Sequence, residues 1–292
     1  MAVFGFDERT THVGFTDESS WNEPNLTFRS VACVSARVEH YCEIESRLYA
    51  ARRRAGAKMA ELKWSEDRRE THRSGEGYQR DAEYILNTAL ELAFEQKLRM
   101  DVVIWNKHDQ ASLEKGIKIR EKPDEWQLHD KYVELLTFLI KHWRSDDDSS
   151  SHFWSIATDQ HSGLRFNLMQ NQVQRDVISE IGQTVVEILE EEKTPNYSLQ
   201  LVDVFAGLGA YSHNHWRGYD LWLQRNKQTL SELSPPQAHL RFPLLNHLHE
   251  RCKVNNFGVS ILEPITGFRG KGLWTSDYRK LEHYVNSWCY TS

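Results

Sequence analysis

Four short acidic motifs are dispersed along this chain: Thr16-Asp17-Glu18-Ser19, Glu61-Leu62-Lys63-Trp64, Thr158-Asp159-Gln160 and Leu201-Val202-Asp203-Val204. Each sets a carboxylate at or beside the end of an apolar stretch. Apolar flanks predict burial, and an ionised carboxylate is costly to bury unless it is paired or bound to a metal. Carboxylates gathered from separate elements suit Mg²⁺ or Mn²⁺, which take oxygen ligands and leave positions for water and substrate phosphate. Two such ions activate a water and stabilise a departing oxyanion, the requirements of phosphodiester hydrolysis. The candidate catalytic and metal-holding set is therefore Asp17, Glu61, Asp159 and Asp203. Lys63, two residues after Glu61, is placed to steady a phosphate or the leaving group.

Each of these residues also has a structural reading. Asp17 and Glu18 can cap a turn. Glu61 can pair with Arg53 or Arg54 on a solvated surface, an arrangement worth little. Asp159, before Gln160 and Ser162-Gly163, can open a turn, and Lys63 can be an ordinary surface lysine. Asp203 is hardest to explain that way, because a helix starting near Leu199 puts it on a face of small residues with Ala206, Gly207 and Ala210. That face is expected to lie close on a sheet, with Asp203 pointing into the contact.

Histidines offer a competing site. His213-Asn214-His215 places its two rings at i and i+2, which diverge on a helix, and His247 and His249 repeat that spacing. No third ligand stands nearby in sequence. Cys33, Cys42, Cys252 and Cys289 form no Cys-x-x-Cys pair, so neither a zinc knuckle nor a secreted disulfide framework is expected. Gly267 to Gly272 carries glycines and basic residues without the spacing of a phosphate loop.

A formal net charge of −6 gives no bulk support to nucleic-acid binding. The distribution says more: Arg47, Arg52, Arg53, Arg54, Lys58 and Lys63 crowd one stretch. Arg52, Arg53, Arg54 and Lys58 form a candidate nucleic-acid-binding patch, the alternative being a solvated helix face. At 292 residues and 39% hydrophobic content the chain can bury a sizeable core. It lacks an apolar run of membrane-spanning length and a signal-peptide start, which predicts a cytoplasmic protein with no membrane partner.

The elements that must position the carboxylates read as follows. His12–Asp17 and Leu26–Val34 predict two strands joined by a polar turn, with Asp17 at the end of the first. Ala36–Lys58 and Tyr78–Lys97 predict helices, Met100–Trp105 a strand, and Trp126–Trp143 a helix. His152–Thr158 predicts a strand with Asp159 at its end. Leu168–Glu192 and Ser198–Tyr211 predict helices, Gly258–Ile265 a late strand and Thr275–Trp288 a terminal amphipathic helix. The alternation of strands and helices predicts an α/β sandwich with a mixed sheet.

In this order, Asp-Glu-Ser after a first strand, Glu-Leu-Lys, a strand ending in Asp, and Leu-Gln-Leu-Val-Asp-Val-Phe-Ala, the chain resembles the bacterial and phage proteins grouped as Domain of Unknown Function 3800, over about residues 12–212. Ser20 stands where those proteins usually have Gly, and Val202 where Ala is common. The resemblance implies an α/β, ribonuclease H-like fold, a mixed β-sheet flanked by helices; the residues after it read as a C-terminal helical and strand extension. The polar segment Arg225–Gln237, ending just after Pro235-Pro236, marks a boundary beyond the resemblance, so one domain is expected over 1–224 with an insertion near 106–125, and an extension over 225–292 packed on it. The resemblance implies an acidic set at Asp17, Glu61, Asp159 and Asp203, Mg²⁺ or Mn²⁺ as cofactor, and nuclease action on RNA or DNA in phage defence or a mobile element. A protein partner from the same operon is also expected. The rival expectation is a non-catalytic interaction subunit of the same fold, which the aromatic content and the long 106–125 excursion would suit.

Overall fold

The first two strands are built from alternating and β-branched residues. β1 (His12–Ser19) and β2 (Phe28–Arg37) pair antiparallel, with Phe15 opposite Val34 and Asp17 opposite Ala32. β3 (Arg99–Asn106) adds antiparallel to β2. In a computed structural model of the chain, residues 6–19, 25–56, 62–64, 68–108, 123–143, 152–159, 165–181, 184–191, 196–228, 241–260, 272–275 and 283–290 are described. Glu61, Lys58 and most of the 106–125 excursion lie outside them.

Between β2 and β3 run α1 (Val38–Ala55) and α2 (Arg68–Phe94). α1 stops at Gly56, whose φ of 77° is the left-handed conformation that ends helices and that glycine adopts without a Cβ penalty. After β3 come α3 (Pro123–His142), β4 (His152–Asp159), α4 (Phe166–Ile181) and β5 (Thr184–Glu191). β4 pairs parallel with β1, and β5 parallel with β4. Then follow α5 (Tyr197–Asn214), α6 (Trp216–Gln228) and α7 (Phe242–Val254). A short pair, β6 (Val259–Ser260) and β7 (Trp274–Thr275), leads to β8 (Val285–Tyr290), which pairs parallel with β3.

The six-stranded sheet therefore runs β5-β4-β1-β2-β3-β8, with β2 opposed to all the others. This is a mixed α/β architecture of the ribonuclease H type, extended at one edge by β8. Successive residues of a strand face opposite sides. One side (Val13, Phe15, Ala32, Val34, Val102) packs under α1, α2, α5 and α7. The other (Val31, Cys33, Val103, Trp105, Ile156) packs under α3 and α4. α5 is buried along its whole length from Ser198 to His213. Among the described residues no helix is long and apolar enough to cross a membrane.

Two expectations about elements are corrected. The helix expected over Leu168–Glu192 stops at Ile181, and 184–191 is a strand. Thr184-Val185-Val186 is a β-branched run, and its ladder with β4 outweighs the helical preference of the Glu-rich end. The terminal helix expected over Thr275–Trp288 is instead β7 and β8. The open edge of β3 supplies backbone partners for that segment, which its amphipathic pattern alone does not disclose.

Candidate functional site

β1 carries the first motif across the middle of the sheet. Asp17 is 3% exposed and faces the α5 side, as its cross-strand partner Ala32 does. Its Oδ1 accepts the Glu18 backbone N–H at 2.9 Å. Glu18, one residue on, turns to the opposite face and accepts the Tyr132 hydroxyl at 2.5 Å from α3. Burial, reinforced by the charges of Glu18 and Asp17, pushes the Tyr132 phenol well above its ordinary range, so it remains a donor. Asp159 is the last residue of β4 and follows Thr158, the partner of Thr16. The backbone register thus puts Asp159, at the end of β4, beside Asp17; the first strand runs on to Ser19, so Asp17 lies inside it and not at its end as expected, and the Asp159 side chain lies outside what is described.

Asp203 comes from α5. Two side chains hold the start of that helix. Asn196 accepts the Leu199 N–H at 2.9 Å. The Glu45 carboxylate on α1 accepts Tyr197 N–H at 3.1 Å, Ser198 N–H at 2.9 Å and the Ser198 hydroxyl at 2.6 Å. Acceptors at a helix N-terminus satisfy donors that have no partner inside the helix. Ser30 Oγ on β2 donates to Ala206 O at 2.6 Å and fixes α5 on the sheet one turn beyond Asp203. Asp17 and Asp203 therefore share one layer, beneath and within the same helix.

Asp203 is 4% exposed, and its Oδ2 accepts the Trp64 backbone N–H at 2.7 Å. Gln200, one turn earlier, accepts the Leu62 N–H at 3.4 Å. The second acidic motif is thus laced to the fourth through 62–64. Its indole lies on Gly207, where an added Cβ would sit 2.1 Å from Trp64 Cδ2. This corrects the expected packing. The face holding Asp203 and Gly207 turns to the Trp64 segment, and Gly209 is the residue that lets α5 approach Val102 and Ile104 on the sheet. Gln200, Asp203 and Gly207 recur at three- and four-residue spacing, the signal by which this face could have been found.

Lys63 is exposed between two anchored neighbours. Around Trp64 stand two residues that sequence reasoning missed. Arg241 lies over the indole, 4.1 Å from the ring centroid, and Tyr78 feels both the Arg241 and Asp203 charges. Burial raises the Tyr78 phenol far above its usual range.

The donor atoms are all oxygen, the chemistry that suits Mg²⁺ or Mn²⁺. Among the described residues no group of three or more His, Cys, Asp or Glu could hold a metal ion. Glu61 and the Asp159 side chain are outside that set. The basic patch is corrected in part. Arg52 is 5% exposed, donates to Gln200 Oε1 and pairs with Asp81 at 3.7 Å, so it braces α1 against α5 and α2. Arg53 and Arg54 are exposed, and Lys58 is outside the described residues.

The histidines do not assemble. His213 is buried against the Leu273 carbonyl at 3.1 Å, and burial pulls its pKa down to about 4. His247 bonds Asn87 on α2. A cavity of about 400 Å³ opens at the α5–α6 break, walled by Phe28, Asn214, Trp216 and Arg217 among others.

No family model matches this chain. It is similar to the uncharacterized protein ORF2' of Methanothermobacter thermautotrophicus, 26% identical over 297 residues that cover 95% of this chain and 93% of that protein. The similarity runs along nearly the whole of both chains.

Proposed function

We propose that this protein is a Mg²⁺- or Mn²⁺-dependent nuclease that hydrolyses phosphodiester bonds in RNA or DNA, and that it belongs with the Domain of Unknown Function 3800 proteins its motifs resemble. One observation carries the reading: Asp17 on β1 and Asp203 on α5 are buried in one layer, while the β1–β4 register brings the Asp159 position to the same level. Buried carboxylates on two elements, with a third acidic position brought to the same level, are otherwise costly to keep together.

In this reading Asp17, Asp159 and Asp203, with Glu61, hold the ions. When bound, the ions supply a Lewis acid and an activated water. The chain's own part is to fix the carboxylates. Glu18 N–H holds one oxygen of Asp17, and Trp64 N–H one of Asp203. Lys63 offers its charge to a phosphate or a departing oxygen. Arg53 and Arg54 remain for the backbone of a longer substrate.

The Asp203–Trp64 bond also favours a second reading, in which Asp203 is structural and the protein is an interaction subunit of the same fold, in phage defence or a mobile element. The test compares wild type with Asp17→Asn and Asp203→Asn on single- and double-stranded RNA and DNA under Mg²⁺ and Mn²⁺. Loss of cleavage by about 100-fold or more in both, with the fold intact, supports the nuclease. A wild type that cleaves none of these, and whose melting does not shift with either metal, moves the assignment to the interaction subunit.

A further inference from the structure

One buried charge in the α5 layer is a cation. Arg241 is 8% exposed, and its guanidinium lies on the faces of Trp64, at 4.1 Å, and Tyr211, at 5.8 Å. Among the described residues it has neither a carboxylate partner nor a hydrogen-bond acceptor. Stacking on aromatic rings offsets only a part of the cost of removing a guanidinium from water.

Its position makes the missing partner more telling. Arg241 is the N-cap residue of α7, a helix of 13 residues with no side-chain cap and with Pro243 in its first turn. The start of a helix carries partial positive charge and donors without partners. A cation placed there is repelled, whereas an anion satisfies both the guanidinium and the helix. Two more donors are at hand, one on the indole beneath Arg241 and one on Tyr78, which lies within range of the Arg241 and Asp203 charges. The Trp64 indole N–H and the Tyr78 hydroxyl are both buried and without an acceptor among the described residues. Asp203, held by the backbone N–H of the same Trp64, is the adjacent carboxylate.

We propose that Arg241, seated on Trp64 at the start of α7 and joined by the Tyr78 hydroxyl, is an anion subsite that takes a non-bridging phosphate oxygen of the substrate backbone next to the bond being cut. That the anion is a substrate phosphate rests on the nuclease reading; that the site takes an anion does not. Arginine suits the role because its planar fork gives two parallel donors to a phosphate while its face stays on the indole.

The test is made without metal, in EDTA, so that binding is separated from cleavage. The probes are inorganic phosphate, followed by thermal melting, and a fluorescein-labelled 12-nucleotide single strand of DNA or RNA, followed by anisotropy across a salt titration. Arg241→Gln is expected to weaken oligonucleotide binding about ten-fold at low salt and to lower the slope of log K against log salt by about 0.7, one phosphate contact on a single strand. Arg241→Lys, which guards against a misfolded Gln variant, should keep the slope and lose part of the affinity. Tyr78→Phe should cost a few-fold with no change of slope. Phosphate should raise the wild-type melting temperature and not that of Arg241→Gln.

Wild-type affinity, slope and phosphate response in Arg241→Gln would overturn the subsite. A lost phosphate response with unchanged oligonucleotide binding would overturn its assignment to the substrate. A wild type that cleaves nothing, while Arg241→Gln still loses oligonucleotide binding, removes the nuclease reading and leaves the subsite standing.

Discussion

Replacing Gly207 with alanine tests whether the Trp64 segment is held by α5 as described. On the present backbone the new Cβ would lie 2.1 Å from Cδ2, 2.2 Å from Cγ and 2.4 Å from Cε2 of Trp64. Carbon atoms rest at about 3.5–4.0 Å, so the ring must withdraw by about 1.5 Å. It has little freedom to do so. Its backbone N–H is on Asp203 at 2.7 Å, Arg241 covers one face at 4.1 Å, and Tyr211 meets it edge-on at 5.8 Å. Alanine in a helix interior is worth about 1 kcal/mol over glycine, whereas overpacking costs about 1–3 kcal/mol or more. The clash wins, and Gly207→Ala should lose about 1–2 kcal/mol. Trp64→Ala should cost about 3–5 kcal/mol on its own. In that background Gly207→Ala should become neutral or stabilising by up to about 1 kcal/mol, a coupling of about 2 kcal/mol across the cycle. Urea unfolding followed by far-UV circular dichroism measures all four proteins. A Gly207→Ala protein more stable than wild type, or a coupling below about 0.5 kcal/mol, refutes the packing.

Asp203→Ala leaves the buried Trp64 N–H without its acceptor and should cost about 1–3 kcal/mol, while Asp203→Asn, which keeps an oxygen there, should cost less; chemical denaturation of the two variants distinguishes them. Glu45→Ala removes the acceptor of three donors at the start of α5 and should destabilise by about 1–2 kcal/mol, measured the same way. His213 has a folded pKa near 4 against an ordinary 6.5 because burial disfavours its charged form. Its contribution is therefore fully present above about pH 6.5, and is lost as pH falls towards 4, by up to about 3 kcal/mol. His213→Gln should show a flatter dependence of stability on pH in that window, and an unchanged slope would contradict the burial argument.

Much of the frame was legible without coordinates. The period-two pattern of 12–17 and 26–34, the β-branched run at 100–105 and the small-residue helix at 198–211 each follow from local preference and turn chemistry, and each forms. Burial of Asp203 was legible too, because Val202 and Val204 on either side leave a carboxylate no route to water, whereas Asp17, between Thr16 and Glu18, is buried by the strand pairing that carries it. Local pattern failed at 184–191 and 285–290. There a strand forms because β4 and β3 offer unsatisfied backbone edges, and an edge is a property of the assembled sheet. It also misjudged Arg52. A run of arginines looks the same in sequence whether its members are solvated or, as Arg52 is, turned inward to Gln200 and Asp81.

What the sequence alone determined, then, is the set of strands and helices whose periodicity is strong, and the list of carboxylates that need a partner. Which groups meet is set by the packing of the layers. Asp203 meets the backbone of Trp64, Trp64 fills the space left by Gly207, and Arg241 covers that ring from a helix that no local signal tied to it. The reason is range: side-chain periodicity and capping act over a few residues, whereas a contact spanning 139 positions, such as Trp64 with Asp203, is set by the sheet and helix layers that carry both ends to one place.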